Sequence, residues 1–254
     1  MKLFSRHYGE GPPVIILHGI FGFSDNWVTL GRKLAERYSV FLVDLRNHGL
    51  SPHSDVFDFP SMTEDIREFI EDHELGAPAL IGHSLGGKVA MSVALYYPAR
   101  LSRLVVVDIA PRAYKPSHQN ILEGLSSLKP EKISSRREAD EHLQRFIPEA
   151  PIRQFLLKNL VRDGNSYRFK LNLKAIKRNM DKIYRELDPS LKYPGPALFI
   201  RGALSNHIRP ADEKTIQSMF PHSRLVTIEA AAHWVHADQP ETFLRTVLDF
   251  LESG

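Results

Sequence analysis

The chain has 254 residues, of which 43% are hydrophobic and 25% charged, a composition typical of a globular protein with one large α/β domain. It contains no cysteine, which excludes disulfides and thiolate metal sites and fits a reducing compartment. A net charge of +3 without a basic motif does not indicate nucleic-acid binding. The first residues lack the apolar segment of a secretory signal, and no apolar run reaches the roughly 18 residues of a membrane helix. We therefore expect a cytoplasmic protein without membrane insertion.

Short apolar runs alternate with helical patterns along most of the chain. The runs predict buried strands at 14–18, 40–44, 79–81, 104–108, 197–201 and 225–228. The patterns between them predict helices at 26–37, 61–74, 85–97, 211–219 and 240–252. This alternation is typical of βαβ units and predicts an α/β fold with a mostly parallel central sheet and flanking helices.

Residues 112–194 interrupt the alternation, because they contain no convincing buried strand. One helical face in this segment carries Ile152, Phe155, Leu156 and Leu160. We expect residues 112–194 to form a helical cap inserted before the last strands, with residues 1–111 and 195–254 as the core domain. The cap holds 18 Lys and Arg against 10 Asp and Glu, which suits either an anionic substrate or a solvated helical surface.

The pentapeptide Gly82-His83-Ser84-Leu85-Gly86 stands between a predicted strand and a predicted helix. G-x-S-x-G in this setting is the nucleophile elbow of the α/β-hydrolase fold. The turn strains the serine backbone, and Gly82 and Gly86 are small enough to let strand and helix approach. We therefore predict an α/β-hydrolase fold with Ser84 as the nucleophile, with an inert surface serine as the alternative.

A second motif overlaps the first. Residues 82–88 also satisfy G-x-x-x-x-G-K, a nucleotide-binding loop, and the apolar run 104–108 ends in Asp, as does the strand that holds the magnesium of a nucleotide. That loop requires a Ser or Thr hydroxyl for Mg²⁺ after the lysine, and Val89 stands there instead. The loop also follows several predicted strands rather than the first. Both observations disfavour nucleotide binding.

A serine hydroxyl is a poor nucleophile at neutral pH and needs an adjacent base. In this fold the base is a histidine that follows the serine and the acid in the chain. His233 follows the last predicted strand by a short loop and precedes the final helix, so it is the predicted base. His236 is a weaker candidate that could equally pack structurally. The two histidines do not indicate a metal site, because no third ligand stands at suitable spacing.

Two backbone N–H groups near the elbow can form an oxyanion hole. Residues 18–22 close the first long predicted strand, and their loop can turn an N–H group toward the elbow, beside that of Leu85. We assign Ile20 and Leu85 to the hole, with Phe21 as a substitute for Ile20. His18 is expected to be a hydrogen-bonded buried histidine, and residues 44–49 are expected to form a scaffold network.

The acid of the triad is missing from a common position. Asn206 stands after the predicted strand 197–201, and its neutral amide cannot stabilise an imidazolium as a carboxylate does. The corresponding Asp-to-Asn change costs about 10⁴-fold in serine proteases. Asp108 ends the strand after the elbow helix, at the sheet edge expected for Ser84, and is the predicted acid.

Three further polar residues enter this hypothesis. Asp212 and Asp238 are alternative acids, although each is more typical of a residue at a helix start. Ser205 could add a hydrogen bond near the base, or it could be a plain loop serine.

The motifs together narrow the family. The chain resembles the YbfF-type esterases of bacteria in HGIFG, DLRNHGLSP, IGHSLGGK, VVVDIAP, QFLLKNLV, LFIRG and AHWVHADQP, from about residue 14 to the end. The resemblance implies a serine esterase or thioesterase with a helical cap, active on acyl esters including acyl-CoA. It also implies an acid on the strand after the elbow helix, which agrees with Asp108. Ala232 departs from the pattern, because these esterases usually have Gly before the catalytic histidine.

The predicted reaction is acyl transfer from a small-molecule ester or acyl-CoA to water, without a cofactor or a metal. Two alternatives remain open at this point. A carbon–carbon bond hydrolase on the same scaffold would use the same residues. A non-catalytic small-molecule-binding relative is favoured by Asn206 and disfavoured by Asp108.

Overall fold

A seven-stranded sheet in the order β1-β3-β2-β4-β5-β8-β9 lies at the centre of the computed structural model, which describes residues 1–164 and 166–253. The strands, with the separate pair β6 and β7, are β1 (Ser5–Tyr8), β2 (Pro13–Leu17), β3 (Ser39–Val43), β4 (Ala79–His83), β5 (Arg103–Val107), β6 (Leu160–Asp163), β7 (Ser166–Phe169), β8 (Ala197–Gly202) and β9 (Ser223–Ile228). Neighbouring strands of the large sheet are parallel except for β1 and β3. The predicted mostly parallel sheet is confirmed.

Helices cover both faces of this sheet. The α-helices, including α4 to α8 of the segment 112–194, are α1 (Val28–Leu34), α2 (Phe59–Asp72), α3 (Leu85–Tyr96), α4 (Gln119–Ser127), α5 (Arg136–Leu143), α6 (Ala150–Leu157), α7 (Leu173–Arg178), α8 (Met180–Ile183), α9 (Glu213–Met219), α10 (Val235–Asp238) and α11 (Pro240–Glu252). One apolar cluster joins one sheet face to α2 and α3, and a second joins the other face to α1 and α11. In the described part of the chain, no helix is long and apolar enough to cross a membrane.

The six predicted strands are all present, and their ends differ from the predicted ends by at most two residues. The central strands β2, β4 and β5 are buried along almost their whole length. Because strands buried on both faces read as unbroken apolar runs, these strands are visible in the sequence.

The sheet brings the ends of its parallel strands to one edge. Leu17 pairs with Gly82, His83 with Val107, and Val107 with Ile200. The loops that leave β2, β4, β5, β8 and β9 therefore begin side by side. This edge is where ligands bind in open α/β sheets.

Two features differ from the sequence-based prediction. β1 pairs antiparallel with β3 at the sheet edge, and its partly exposed polar residues give no buried run. Within the cap, β6 and β7 form an antiparallel hairpin, so the cap is not wholly helical. Leu160, expected on a helical face, begins β6 because α6 ends at Leu157. β6 and β7 have four residues each, too few to show a clear alternation of apolar and polar side chains. Gly164, which follows β6, adopts a φ of 61° that suits a tight turn.

The chain leaves the sheet after β5 and returns to it at β8, so the residues predicted to form the cap lie between these two strands. The cap packs on the core through a shared apolar cluster, which includes Leu85 and Ile109 of the core and Leu122, Leu156 and Ile176 of the cap. Residues of this segment also line common clefts with residues at the ends of the strands.

Candidate active site

Ser84 occupies a strained turn between β4 and α3. Its φ of 52° and ψ of −115° are values that residues with a side chain rarely adopt. A Cβ added to Gly82 would lie 2.2 Å from the carbonyl oxygen of Gly86, and one added to Gly86 would lie 2.6 Å from that of Leu17. The close approach of strand and helix therefore accounts for both glycines, and the turn has the geometry of a nucleophile elbow.

His233 and Asp108 meet at the same edge. Nδ1 of His233 donates a hydrogen bond to Oδ2 of Asp108 at 2.8 Å, across 125 positions of sequence. His233 lies in the loop between β9 and α10, and Asp108 directly follows β5. The sequence-predicted base and acid are thus in contact, and the bond leaves the Nε2 lone pair of His233 available to accept a proton.

The Asp108 carboxylate is completely buried and accepts further hydrogen bonds. The Gly202 N–H donates to Oδ1 at 3.2 Å, and the Ser205 hydroxyl donates to Oδ2. Burial raises the pKa of Asp108, while these donors act in the opposite direction because they favour the charged form. Ser205 therefore lies where the sequence suggested, but it contacts the acid and not the base.

His207 is a neighbour of this pair that the motifs did not single out. Its ring stacks on that of His233, with centroids 3.7 Å apart and planes 17° apart. Because the Ser205 proton is directed to Asp108, Nδ1 of His207 donates to the Ser205 oxygen at 3.2 Å. The stack forms between two loops that are distant in sequence, so no local pattern predicts it.

Ser84 and His233 line the same cleft, but no hydrogen bond joins them among the residues described. Catalytic hydrogen bonds are often long in ligand-free enzymes and tighten when substrate binds. His83, next to Ser84, donates from Nε2 to the backbone oxygen of His233 at 2.9 Å. The elbow thus holds the base loop directly, a role for His83 that the pentapeptide did not reveal.

Burial sets the charge of the base. It lowers the pKa of His233 well below the usual value, and the neighbouring His207 and His118 lower it further. The imidazole is therefore neutral near pH 7, which is the state that a general base requires.

Ile20 and Leu85, whose backbone N–H groups are the predicted oxyanion donors, line one cleft with Ser84. Neither group has a hydrogen-bond acceptor within the described residues. Phe21, the proposed substitute for Ile20, is not suitable, because its N–H donates to Nε2 of His48 at 3.2 Å. The geometry therefore favours Ile20 and Leu85 as the pair of donors.

The alternative acids lie elsewhere. Asp212 forms ion pairs with Arg112 and Arg209 and does not contact His233. Asp238 accepts a hydrogen bond from the N–H of Ala232 at 2.8 Å, so it supports the base loop without contacting the imidazole.

The remaining histidines near the site have structural contacts. His236 stacks on Trp27, with ring centroids 3.9 Å apart, and makes no contact with Asp108. Nδ1 of His18 donates to the Gly19 oxygen and its Nε2 accepts from Leu45 N–H, while burial lowers its pKa to about 4. The expectation of a satisfied, buried His18 agrees with this geometry.

The scaffold network expected at residues 44–49 is present. Asp44 accepts from the N–H groups of Ser24 at 2.6 Å and Leu50 at 2.8 Å. Arg46 binds both carboxylate oxygens of Asp65 on α2. These contacts fix the loop after β3, and none of them involves Ser84.

Two clefts meet at Ser84. The Lys88 cleft, of about 420 Å³, is lined by Ile20, Ser84, Leu85, Lys88, Ile109, Tyr114, Ser117, His118, Ile183, Tyr184 and His207. The Trp234 cleft, of about 540 Å³, includes Ser84, Ile121, Phe155, Leu156, His233 and Trp234. Side chains of the cap form part of both walls, so a substrate with two arms could extend to either side of the serine.

Asp108, His207 and His233 also have potential metal-ligand atoms within 4.8 Å of one another. Their hydrogen bonds already satisfy these atoms, and Asp108 is inaccessible to solvent. We therefore interpret the group as an acid–imidazole arrangement.

Comparisons with known proteins agree with this geometry. The family described as the alpha/beta hydrolase fold matches residues 12–240. The chain belongs to this family. It is 38% identical to the sn-1-specific diacylglycerol lipase ABHD11 of Xenopus laevis over 252 residues, which cover 96% of this chain and 81% of the relative. It is 32% identical to Esterase YbfF of Escherichia coli (strain K12), with 97% and 96% covered.

Solved structures support the same conclusion. A marine microorganism esterase superimposes with a TM-score of 0.95 at 40% identity, covering 98% of this chain and 99% of that protein. The predicted α/β-hydrolase fold and the resemblance to YbfF-type esterases are confirmed. The predicted enzyme class, a serine ester hydrolase acting on a small molecule, is confirmed at this level.

Proposed function

We propose that this α/β-hydrolase cleaves acyl esters and thioesters, acyl-CoA among them, through a triad of Ser84, His233 and Asp108 and a covalent acyl-enzyme. The observation that carries the proposal is the 2.8 Å hydrogen bond from His233 to a completely buried Asp108, beside the strained elbow that presents Ser84. An acid, a base and a nucleophile at one sheet edge are the groups that acyl transfer requires.

The reaction begins when Nε2 of neutral His233 removes the Ser84 proton and the oxygen attacks the acyl carbonyl. Asp108 stabilises the resulting imidazolium through Nδ1–H, while the N–H groups of Ile20 and Leu85 bind the oxyanion. The imidazolium then protonates the leaving alkoxide or thiolate. A water molecule, deprotonated by the same histidine, attacks the acyl-enzyme. The bond between the acyl carbon and the Ser84 oxygen then breaks, the imidazolium returns its proton to that oxygen, and the carboxylic acid leaves. Ser205 holds the Asp108 carboxylate in position throughout.

We assign residues 112–194 to a cap domain over the core formed by 1–111 and 195–254. The cap contributes Ile183 and Tyr184 to the Lys88 cleft, and Phe155 to the Trp234 cleft. Such side chains would remove an acyl chain and much of the leaving group from water. The cap therefore sets the size of the substrate, while the core performs the chemistry.

Charge is the reason for including acyl-CoA among the proposed substrates. An open cleft beside the site is lined by Arg112, Lys115 and Arg209, together with His207 and His233. Arg112 and Arg209 pair with Asp212, whereas Lys115 is exposed, so Lys115 is the cation that we expect to contact the phosphates of a CoA leaving group. A neutral alcohol leaving group would gain nothing from it.

A hydrolysis panel tests the proposal. It contains p-nitrophenyl esters of increasing acyl length, the matching acyl-CoAs and acyl-pantetheines, and a carbon–carbon bond substrate. We expect turnover of esters and acyl-CoAs, with Ser84→Ala lowering kcat by at least about 10³-fold. Turnover of the carbon–carbon substrate alone, or full activity of Ser84→Ala, would contradict the proposal.

Recognition of the CoA phosphates is tested separately, by comparing KM for acyl-CoA with KM for acyl-pantetheine. Replacing Lys115 by Ala is expected to raise KM about threefold for acyl-CoA and to leave KM for acyl-pantetheine unchanged, as for a weak exposed ion pair. Lys192→Ala is the matched control, because Lys192 is an exposed cap lysine outside this cleft. Equal KM values for acyl-CoA and acyl-pantetheine in the unmodified enzyme would refute recognition of the phosphates.

A further inference from the structure

Lys88 is a buried lysine directly beneath the nucleophile. It lies one helical turn after Ser84 in α3, and its N–H donates to the Ser84 carbonyl at 3.0 Å. Only 2% of the residue is exposed. No carboxylate lies within ion-pair distance of its ammonium group in the described ranges. Burial lowers the pKa of Lys88 to about 7, so near neutral pH the amine is only partly charged, and in either state its N–H groups require hydrogen-bond acceptors.

Those contacts lie at the two ends of the cap. The ammonium group donates to the carbonyl oxygen of Arg112 at 2.7 Å and to that of Arg185. We call the segments 111–114 and 184–187 the cap stalk, since they connect the cap to the core. One side chain of the elbow helix thus binds both halves of the stalk.

The two halves of the stalk also bind each other. The backbone N–H of Tyr114 donates to the carbonyl oxygen of Tyr184 at 2.7 Å, and the backbone N–H of Leu187 donates to that of Pro111 at 2.9 Å. Lys88 adds a third link between them, and this link also connects the stalk to the elbow helix. It is strongest when the amine is protonated, because hydrogen bonds from charged donors are stronger than those between neutral groups.

The stalk in turn reaches the catalytic loops. The Tyr114 ring lies 5.1 Å from the Lys88 ammonium group, and its hydroxyl donates to the His207 carbonyl at 2.6 Å. His207 stacks on His233. On the other side, Tyr184 lines the Lys88 cleft with Ser84. A shift of the stalk would therefore move a wall of the substrate cleft.

We propose that Lys88 is a positioning residue that binds the elbow helix to both halves of the cap stalk, and so fixes the cleft that receives a long acyl chain of the substrate. Its effect depends on substrate length, because a short acyl group contacts the core side chains near Ser84, whereas a long one reaches Ile183 and Tyr184 of the cap. The kinetic part of this inference rests on the proposed ester hydrolysis.

The decisive variant is Lys88→Met, which keeps the unbranched side chain and removes every donor. We expect kcat/KM to fall about tenfold further for p-nitrophenyl decanoate than for the acetate ester, because the hydrogen bonds that hold the cap side of the cleft are lost. The difference should lie mainly in KM. Ser92→Ala is the matched control. Ser92 is buried one turn further along α3 and bonds to Thr63 of α2, not to the cap.

Amide hydrogen exchange supplies a readout that does not require activity. Peptides covering 111–116 and 184–188 are expected to exchange faster in Lys88→Met than in the unmodified protein, and at the original rate in Ser92→Ala. If esters prove not to be substrates, this exchange result still tests the link between Lys88 and the stalk. It thereby separates failure of the inference from failure of the proposed function.

Two results would overturn the inference. One is an equal loss of kcat/KM for both esters in Lys88→Met, as a general loss of stability would cause. The other is unchanged exchange at both stalk segments. If Lys88→Met does not fold, Lys88→Gln, whose shorter side chain cannot span both carbonyls, carries the same expectations and the same refutations.

Discussion

Replacing Asp108 by Asn removes the charge of the proposed acid while preserving its shape. The carboxylate receives three donors, with Gly202 N–H on Oδ1 and with Ser205 and His233 on Oδ2. An asparagine can keep its oxygen toward Ser205 and His233 only by turning its amide NH₂ toward the Gly202 N–H. In this orientation the amide NH₂ faces one other donor, whereas in the reverse orientation it would face two, the Ser205 hydroxyl and Nδ1–H of His233. We therefore expect the first orientation, in which the His233 ring keeps its position but loses the negative charge beside it.

The expected size of the effect follows from that loss. A neutral amide 2.8 Å from Nδ1 cannot stabilise the imidazolium that forms when Ser84 gives up its proton. The same change in a serine protease costs about 10⁴-fold, or about 5.5 kcal/mol of transition-state stabilisation. We expect Asp108→Asn to lower kcat/KM by about 10³- to 10⁴-fold, with a smaller change in KM.

The assay is steady-state hydrolysis of a p-nitrophenyl ester, with thermal unfolding measured on the same preparations. Asp212→Asn is the matched control, because it makes the same chemical change at a carboxylate that binds Arg112 and Arg209 but not His233. We expect this control to retain most of its activity. Near-full activity of Asp108→Asn, with loss of activity in Asp212→Asn, would show that the assigned acid is wrong.

Three further predictions concern the same site. Ser205→Ala should lower kcat about tenfold, because Asp108 loses one charged hydrogen bond; an unchanged kcat would remove Ser205 from the mechanism. The acidic limb of the kcat/KM profile should have its midpoint below pH 6.5, since burial lowers the pKa of His233 and only the neutral imidazole accepts the Ser84 proton; a midpoint at or above pH 7 would contradict this. Gly86→Ala should lower the free energy of unfolding by at least about 2 kcal/mol in denaturant titrations, because its Cβ would lie 2.6 Å from the Leu17 oxygen, and a fully stable variant would exclude so close an approach.

Much of this site could be predicted because a parallel sheet gathers the ends of its strands. Knowing that Ser84 and Asp108 each follow a buried strand is enough to place them at one edge. The same reasoning places His233 after the last strand. The topology favours Asp108 over Asp212 and Asp238 as the acid, and the resemblance to YbfF-type esterases agrees with this choice.

The features that the sequence does not reveal depend on contacts between distant loops or on exposed strands. His207 and His233 stack because two separate loops fold against each other. The N–H of Phe21 donates to His48, which lies in another loop. β1 is a half-exposed edge strand whose polar residues resemble a loop. Lys88 appears in the sequence as part of a nucleotide-binding motif, whereas in the structure it binds backbone carbonyls of the cap.

The central claim is that Ser84 is the nucleophile, and covalent labelling tests it most directly. The protein is treated with a serine-directed fluorophosphonate, digested and mapped by mass spectrometry, with Ser84→Ala treated in parallel. The account predicts one adduct, on the peptide that contains Ser84, together with loss of ester hydrolysis in step with labelling and no adduct in the variant. An unlabelled Ser84 in an active preparation, or labelling and hydrolysis that persist in Ser84→Ala, would contradict it.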